Sequence, residues 1–454
     1  MKPILPAGFR DLTPPEVARR NQLLHVIREW FHRYNFVPIE TPAVELTAVL
    51  EGKYGQEGEK LLFRILKNAD ELQRQMNNLS PDMPLHETIQ RLSNQALRYD
   101  LTVPLARYIA MHKNDIRFPF KRYQIQPVWR GERPQRGRYR EFLQCDADIV
   151  GAPPGIADAE VITLALRVFE QLGIPFRLHL NDRRLLHVMA IRFDIPPNSH
   201  TRFIITLDKL DKIGAEAVTQ LLQADGILNE RQAAQFQQMI RTFSNQDTPP
   251  LQQLQQMSAT FKAPEVYDHL QRILHLIPRQ FHHYLRLNLF LARGLDYYTS
   301  TIFEVTAPNT PIGSIAGGGR YDQLGEVFGL RDAPAIGISF GIDRILDVME
   351  YLRKPLSHQP LHATLLVANL DPDMEAHLFQ VTETLRMQGY RIELFSRPAT
   401  LKKQLRYAQQ TGIPYVLIIF PEDLPHQRAH LKELSTGRQT TVTIKELSSI
   451  LDHE

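Results

Sequence analysis

The sequence predicts an α+β protein with a helical insertion and a C-terminal α/β domain, and three observations carry that prediction. Strand signals gather in a hairpin at 121–150 and again between 286 and 341, with helical periods on either side. Between Asp182 and about Pro278 the chain is Gln-rich and helical, which marks the insertion. Beyond 360 strands and helices alternate. The length of 454 residues, at roughly 150 per domain, allows about three such regions. They fall at 1–352, with the insertion at about 183–278, then a Pro-bearing linker at 353–360 (RKPLSHQP), then 361–454.

Each element follows from its local pattern. Residues 14–34 place Val17, Leu24, Ile27, Trp30 and Phe31 at helical spacing behind Pro14 and Pro15, and the strand-like FVPIETP follows. The stretch 57–95 reads as charged helix broken by NNLSPDMP, a loop signal. KRYQIQPVWR and REFLQCDADIV read as two strands joined by GERPQRGRY. ADAEVITLALRVFEQLG is a helix ending at Gly173, and PFRLHLN is the next strand. Strand signals return at 286–291, 298–306 and about 314–316, and AIGISF precedes the helix GIDRILDVMEYL. In the tail TLLVANL, YRIELF, YVLIIF and TTVTI are the strands.

Composition excludes several classes. An apolar share of 43% with 23% charged residues is that of an ordinary globular chain rather than a disordered or fibrous one. No apolar run approaches the 18 or more residues of a membrane span, and MKPILPAGFRDLTPPE lacks the apolar core of a signal peptide, so a cytoplasmic protein is expected. One cysteine, Cys145, excludes an internal disulfide framework, a CxxC redox pair and a Cys-based zinc cluster. The net charge of +3 is small, but Arg117–Arg140 alone carries +7, leaving −4 on the rest. A charge run by itself reads as a solvated basic face.

The chain has no GxxxxGK[ST] loop, GxGxxG fingerprint, HExxH or GxSxG motif. A nucleotide would therefore be gripped by side chains, and Arg130, Glu132, Arg138 and Arg344 are the candidates. Arg344 falls in the first turn of its helix, where backbone amides add attraction for anions. Guanidinium groups bind phosphate bidentately. Along REFLQCDADIV, alternation puts Phe142, Gln144, Asp146 and Asp148 on one face and Leu143, Cys145, Ala147 and Ile149 on the other. A sheet with one solvated face has the same pattern. Asp100 and Thr102 in ALRYDLTVPLARY offer acceptors at a strand-to-helix junction, where a helix cap is the local alternative.

ARGLDYYTSTIFEV joins Arg293 and Asp296 to a tyrosine pair, and strand alternation predicts that Tyr297 and Tyr298 face opposite sides, one toward a ligand and one toward the core. Three glycines in GSIAGGGRYDQL suggest a tight turn or bulge that lets a ligand approach the backbone. His426 and His430 have i, i+4 spacing but no third ligand, so no metal site is expected.

Together these segments resemble the class II aminoacyl-tRNA synthetases and, among them, the histidyl-tRNA synthetase family. FVPIETPAVE with Pro42, VWRGERPQRGRYREF and AIGISFGIDRIL look like the class's three motifs, the first lying at a dimer interface. LARGLDYYTSTIFEV and AGGGRYDQL are specific to the histidine enzymes, and LPAGFRDL, ALRYDLTVPLARY, FLQCDADIVG and NDRRLL also resemble them. The likeness runs from Leu5 to Leu352, and LRYAQQTGIPYVLII resembles the family's anticodon-binding domain.

The resemblance implies an antiparallel catalytic sheet flanked by helices, a homodimer, and ATP, Mg2+, histidine and histidine tRNA as ligands. It implies that Arg130, Glu132, Arg138 and Arg344 hold ATP, with Arg293 at the α-phosphate. Asp148 and Tyr298 would face the imidazole, Asp100 and Gln144 the α-amino and carboxylate end, with Thr102 and Tyr321 in the same pocket. Asp146 follows a pattern of one branch of the family, where another branch carries a small residue. A histidine-sensing regulatory subunit of ATP phosphoribosyltransferase is the competing reading, and it lacks the C-terminal domain that this chain has. An RNA-binding scaffold without ATP turnover is a third.

Overall fold

The computed structural model describes residues 3–51, 61–134, 139–243, 248–293, 297–323, 326, 333–354, 363–444 and 446–447. Arg138, Asp296 and residues 355–360 of the expected linker lie outside them. The chain divides into two compact units, Met1–Thr13 with Arg19–Leu356, and Pro14–Ala18 with Ser357–Glu454.

Helix α1 (Pro14–Arg33) buries Leu23, Leu24, Ile27 and Phe31, the 3.6-residue stripe that a one-sided core demands. β1 (Val37–Pro38) follows at once. β2 (Val44–Leu46), β3 (Phe63–Ile65) and β4 (Gln95–Leu97) form a small antiparallel sheet in the order β2-β4-β3, which sequence periodicity does not reveal because three residues carry too little alternation. Between β3 and β4 lie α2 (Ala69–Asn77) and α3 (Leu85–Leu92), separated by the NNLSPDMP break. Helix α4 (Thr102–Met111) leads to the hairpin of β5 (Phe120–Trp129) and β6 (Glu141–Val150).

Helix α5 (Ile156–Leu172) is the centre of the core. Val161, Ile162, Leu164, Ala165, Leu166, Val168 and Phe169 are all fully buried, each large one contributing about 1.5–3 kcal/mol by its removal from water. Gly173 closes the helix in the left-handed region (φ 62°), where a side chain would be strained.

β7 (Arg177–Asp182) precedes six helices: α6 (Arg183–Arg192), α7 (His200–Leu207), α8 (Leu210–Ala224), α9 (Glu230–Phe243), α10 (Pro250–Thr260) and α11 (Pro264–Leu276). They return the chain to β8 (Leu285–Leu287), which pairs with β7 in parallel, as a crossover of this length permits. β9 (Thr301–Thr306), β10 (Ser314–Arg320), β11 (Ala335–Gly341) and α12 (Ile342–Tyr351) complete the unit.

The large sheet has the order β1-β5-β6-β11-β10-β9-β7-β8. Its six central strands are antiparallel, as expected, while both edge pairs are parallel. The three glycines sit inside β10, in mid-sheet, instead of forming a turn. The expected strand at 298–306 begins only at Thr301, so Tyr297 and Tyr298 precede it.

The second unit carries a mixed sheet, β13-β12-β14-β15-β16, from β12 (Leu365–Val367), β13 (Ile392–Leu394), β14 (Tyr415–Ile418), β15 (Arg428–Glu433) and β16 (Gln439–Thr443). Helices α13 (Glu375–Met387) and α14 (Leu401–Thr411) alternate with the parallel strands. β15 is absent from the sequence-based expectation. Gln427, at φ 50°, ends a 3₁₀ turn, and the chain then extends, so His426 and His430 do not share a helix. His430 instead pairs with Asp423 at 3.3 Å.

Candidate active site

One face of the large sheet is built as a step. Register aligns Arg122, Asp148 and Gly337 in one row across β5, β6 and β11, Gln124, Asp146 and Ser339 in the next, and Gln126, Gln144 and Gly341 in a third. β10 continues the first two rows with Gly319 and Gly317. Long polar side chains therefore stand on two strands beside a floor that has almost none. Side chains from elsewhere lie across that floor. A Cβ on Gly337 would come within 1.8 Å of Asp148 Oδ1, on Gly317 within 1.4 Å of Arg293 Nη1, and on Gly319 within 2.7 Å of the Tyr298 ring.

The result is a cavity of about 1410 Å³, lined by Arg130, Glu132, Arg293 and Arg344 together with Asp100, Thr102, Gln144, Asp148, Tyr298 and Tyr321. Every described candidate thus opens onto one hollow, larger than the roughly 300–1,000 Å³ of ordinary ligand pockets. Arg138 is outside the described residues.

The cationic side is held by the backbone. Arg130 donates from Nε to the Tyr99 carbonyl at 2.9 Å, and its guanidinium lies 4.9 Å from the centre of the Phe142 ring. Arg344, in the first turn of α12, donates from Nη1 to the Ser314 carbonyl at 2.8 Å. Arg293 Nη1 reaches the Phe303 carbonyl at 3.4 Å. Burial lowers the Arg293 pKa, but Tyr298, Glu304, Tyr297 and Asp208 outweigh it and hold the group above its usual value.

The acidic side is desolvated. Asp148 pairs with Arg122 Nη2 at 2.8 Å and accepts from the Tyr321 hydroxyl. Burial pushes its pKa above the usual carboxylate range, with Arg122 and then Tyr321 opposing. Gln144 Nε2 donates to Asp146 Oδ2 at 2.7 Å. The polar face of β6 is therefore enclosed rather than solvated, while Cys145, Ala147 and Ile149 join the core behind it. Asp100 serves both readings of its segment: Oδ1 accepts from the Val103 amide at 3.4 Å at the start of α4, and the side chain lines the cavity.

The tyrosine pair departs from expectation. Tyr297 and Tyr298 both line the cavity, with ring centres 4.6 Å apart, because strand alternation does not operate before Thr301. Sequence reasoning also passed over Arg122, Ser339, Glu304 and Asp208. Arg122, Gln124 and Gln126 alternate with apolar residues on β5, a period-2 signal as clear as that on β6. Asp208 follows α7 in the helical segment and has no local signature of a site residue. Among the described residues no group of three or more His, Cys, Asp or Glu side chains is placed to hold a metal, and no helix is long and apolar enough to cross a membrane.

A predominantly antiparallel sheet with arginines and a polar hollow on one face is the catalytic architecture of a class II aminoacyl-tRNA synthetase. A histidyl-tRNA synthetase profile matches residues 88–345, and an anticodon binding domain profile matches 364–454. Histidine–tRNA ligases of Cytophaga hutchinsonii and Porphyromonas gingivalis are 42% and 40% identical, over 98% and 96% of this chain and the same shares of their own. The crystal structure of histidyl-tRNA synthetase from Nostoc sp. PCC 7120 superposes with a TM-score of 0.79 at 28% identity, covering 100% of this chain and 99% of that one. The chain belongs to the histidyl-tRNA synthetase family.

Proposed function

We propose that this chain is a histidine–tRNA ligase whose cavity joins histidine to AMP and then passes the histidyl group to the 3′ end of histidine tRNA. The observation that carries this reading is the convergence of Arg130, Arg293 and Arg344 with Asp100, Gln144, Asp148 and Tyr298 on one hollow. In the first step a histidine carboxylate oxygen attacks the α-phosphorus, and the bond to the bridging oxygen breaks to release pyrophosphate. Such a displacement depends on positioning and on neutralising charge, so no protein nucleophile is required. In the second step a ribose hydroxyl of the tRNA end attacks the acyl carbon and AMP departs.

Arg130, Glu132, Arg138 and Arg344 hold ATP in this reading, and Arg293 faces the α-phosphate, where its cation meets the charge that develops. Asp148 and Tyr298 hydrogen-bond the imidazole. Tyr321 fixes Asp148, Asp100 and Gln144 take the α-amino and carboxylate end, and Thr102 lies in the same pocket. A pocket that hydrogen-bonds both imidazole nitrogens rejects analogues lacking them by roughly 10⁴ to 10⁵, so no editing domain is needed.

Mg2+ rides mainly on phosphate oxygens and water with one or two carboxylates. That donor set fits a cavity without a three-ligand cluster among its described residues, and Glu132, in the segment after Arg130, is the candidate carboxylate. When bound, Mg2+ neutralises phosphate oxygens.

Residues 1–352 form the catalytic domain in this reading, with 183–278 inserted, and 361–454 read the anticodon. Two chains pair as a homodimer through the segment around Pro42, and the protein works in the cytoplasm beside its tRNA. The histidine-sensing alternative is not favoured, since the relatives that align over nearly the whole chain are histidine–tRNA ligases.

The test is histidine-dependent exchange of labelled pyrophosphate into ATP. Arg293→Ala should slow exchange by about 10² to 10³, the usual effect of removing one preorganised donor, while thermal unfolding moves little. Histidine binding without exchange in the unmodified protein would restore the sensing alternative.

A further inference from the structure

Asp146 has a definite place but no role in the chemistry above. It lies on β6 between Gln144 and Asp148, is 3% exposed, and opposes Gln124 on β5 and Ser339 on β11 in register. Gln144 Nε2 donates to its Oδ2 at 2.7 Å. Once Asp146 is ionised, above about pH 7, its carboxylate only accepts, so Gln144 must turn its NH2 toward Asp146 and its oxygen away. That oxygen, Gln144 Oε1, is buried at the cavity and has no hydrogen-bond partner among the described residues. A buried acceptor left without a donor is costly, and a ligand is the natural source of one.

The two ends of an amide are nearly equal in size, so packing alone does not choose between them. Turned by half a rotation, Gln144 would offer N–H groups where a cationic ammonium has to sit. We propose that Asp146 is a positioning residue for histidine: it locks the Gln144 amide with Oε1 toward the cavity, as the acceptor for the α-ammonium of the amino acid. Asp146 acts through Gln144, and the inference rests on the assignment of Gln144 to that end of the substrate.

The test measures KM for histidine and for ATP in pyrophosphate exchange. Asp146→Ala should raise the histidine KM about tenfold, the effect of one misdirected hydrogen bond, with the ATP KM within about twofold. Asp146→Asn keeps an acceptor toward Gln144 and should restore the histidine KM to within about threefold of the unmodified protein. The double variant Asp146→Ala, Gln144→Ala should be no worse than Gln144→Ala alone, because one residue works through the other. Asp146→Leu fills the volume and repeats the measurement should the alanine variant fail to fold. An unchanged histidine KM in Asp146→Ala overturns the proposal. So does Asp146→Asn as impaired as Asp146→Ala, which would mean charge matters and orientation does not, and so do losses that multiply in the double variant. If Gln144→Ala itself leaves the histidine KM unchanged, the assignment of Gln144 fails and takes the inference with it. If Gln144→Ala is impaired and Asp146→Ala is not, only the inference fails.

Discussion

Asp146 and Asp148 share one enclosed face with a single buried guanidinium, Arg122, in ion-pair contact with Asp148. Two carboxylates against one cation leave an excess of negative charge, which burial disfavours. Desolvation accordingly pushes Asp146 up to about 7, opposed by Arg122 and reinforced by Asp148. The folded state therefore holds this proton more tightly than the unfolded chain, where the group titrates near 3.8. Unfolding releases the proton between those values, so this pair makes stability fall as pH rises from about 4 to about 7, with no further change above. Asp146→Asn cannot ionise. Its urea midpoint should change less between about pH 5 and about pH 8 than that of the unmodified protein, and an equal or steeper change would remove Asp146 as the source. At this scale the segments that carry the family resemblance disclosed most of the cavity wall, because arginines and carboxylates were fixed by their motifs. Arg122 escaped because its basic run reads as a solvated face; the alternation of Arg122, Gln124 and Gln126 with Tyr123, Ile125 and Pro127 is the signal that separates it from its neighbours.

The glycine triplet shows why an element can be visible in sequence while its purpose is not. GGG suggests a tight turn or bulge that lets a ligand approach the backbone; it lies in mid-sheet instead, and the room it leaves is taken by side chains that arrive from other parts of the chain. Three adjacent substitutions should then have three outcomes. Gly318→Ala would place a Cβ 2.0 Å from the Gly337 carbonyl oxygen, backbone that cannot withdraw. We expect a loss of about 3 kcal/mol or more, as for severe overpacking, read as a lowered urea midpoint or insoluble protein. Gly317→Ala meets the end of the flexible Arg293 side chain as its nearest neighbour. It should fold nearly normally and lose exchange activity on the scale of Arg293→Ala, because the guanidinium is displaced. Gly337→Ala strikes Asp148 Oδ1 and should act chiefly on the histidine KM. A Gly317→Ala variant with full activity would show that Arg293 has no need of that floor. The alternation of β6 was legible from its own ten residues because period 2 is a local property. The small sheet of β2, β3 and β4 was not, since its strands are three residues each and paired across thirty positions or more.

Each unit has its own apolar core, but the first also carries a continuous buried polar chain from the cavity to its sheet edge. Arg122, paired with Asp148, donates from Nη1 to Gln124 at 3.4 Å; Gln124 Nε2 reaches Thr41 Oγ1 at 2.8 Å and Gln126 Oε1 at 2.5 Å. Arg98, 1% exposed, then donates from Nη1 to the Thr41 and Pro42 carbonyls at 2.6 and 3.1 Å, and its backbone carbonyl accepts from Trp129, beside Arg130. Thr41 and Pro42 lie between β1, a two-residue edge strand, and β2. Around them Val37, Val44 and Leu46 are 45%, 38% and 53% exposed, apolar surface at the place where the proposed dimer would bury it. A buried polar chain is rigid only when all its members are satisfied, so loosening one end is felt along it. The dimer contact should therefore support the Asp148 pocket at a distance. Val44→Asp with Leu46→Asp, both exposed in the single chain, should yield a monomer in sedimentation velocity. Its exchange activity should fall about tenfold or more, corresponding to a coupling of about 1.4 kcal/mol, with unfolding of the monomer still cooperative. A stable monomer that exchanges pyrophosphate at the full rate would show that the chain through Thr41 braces the sheet without serving the site.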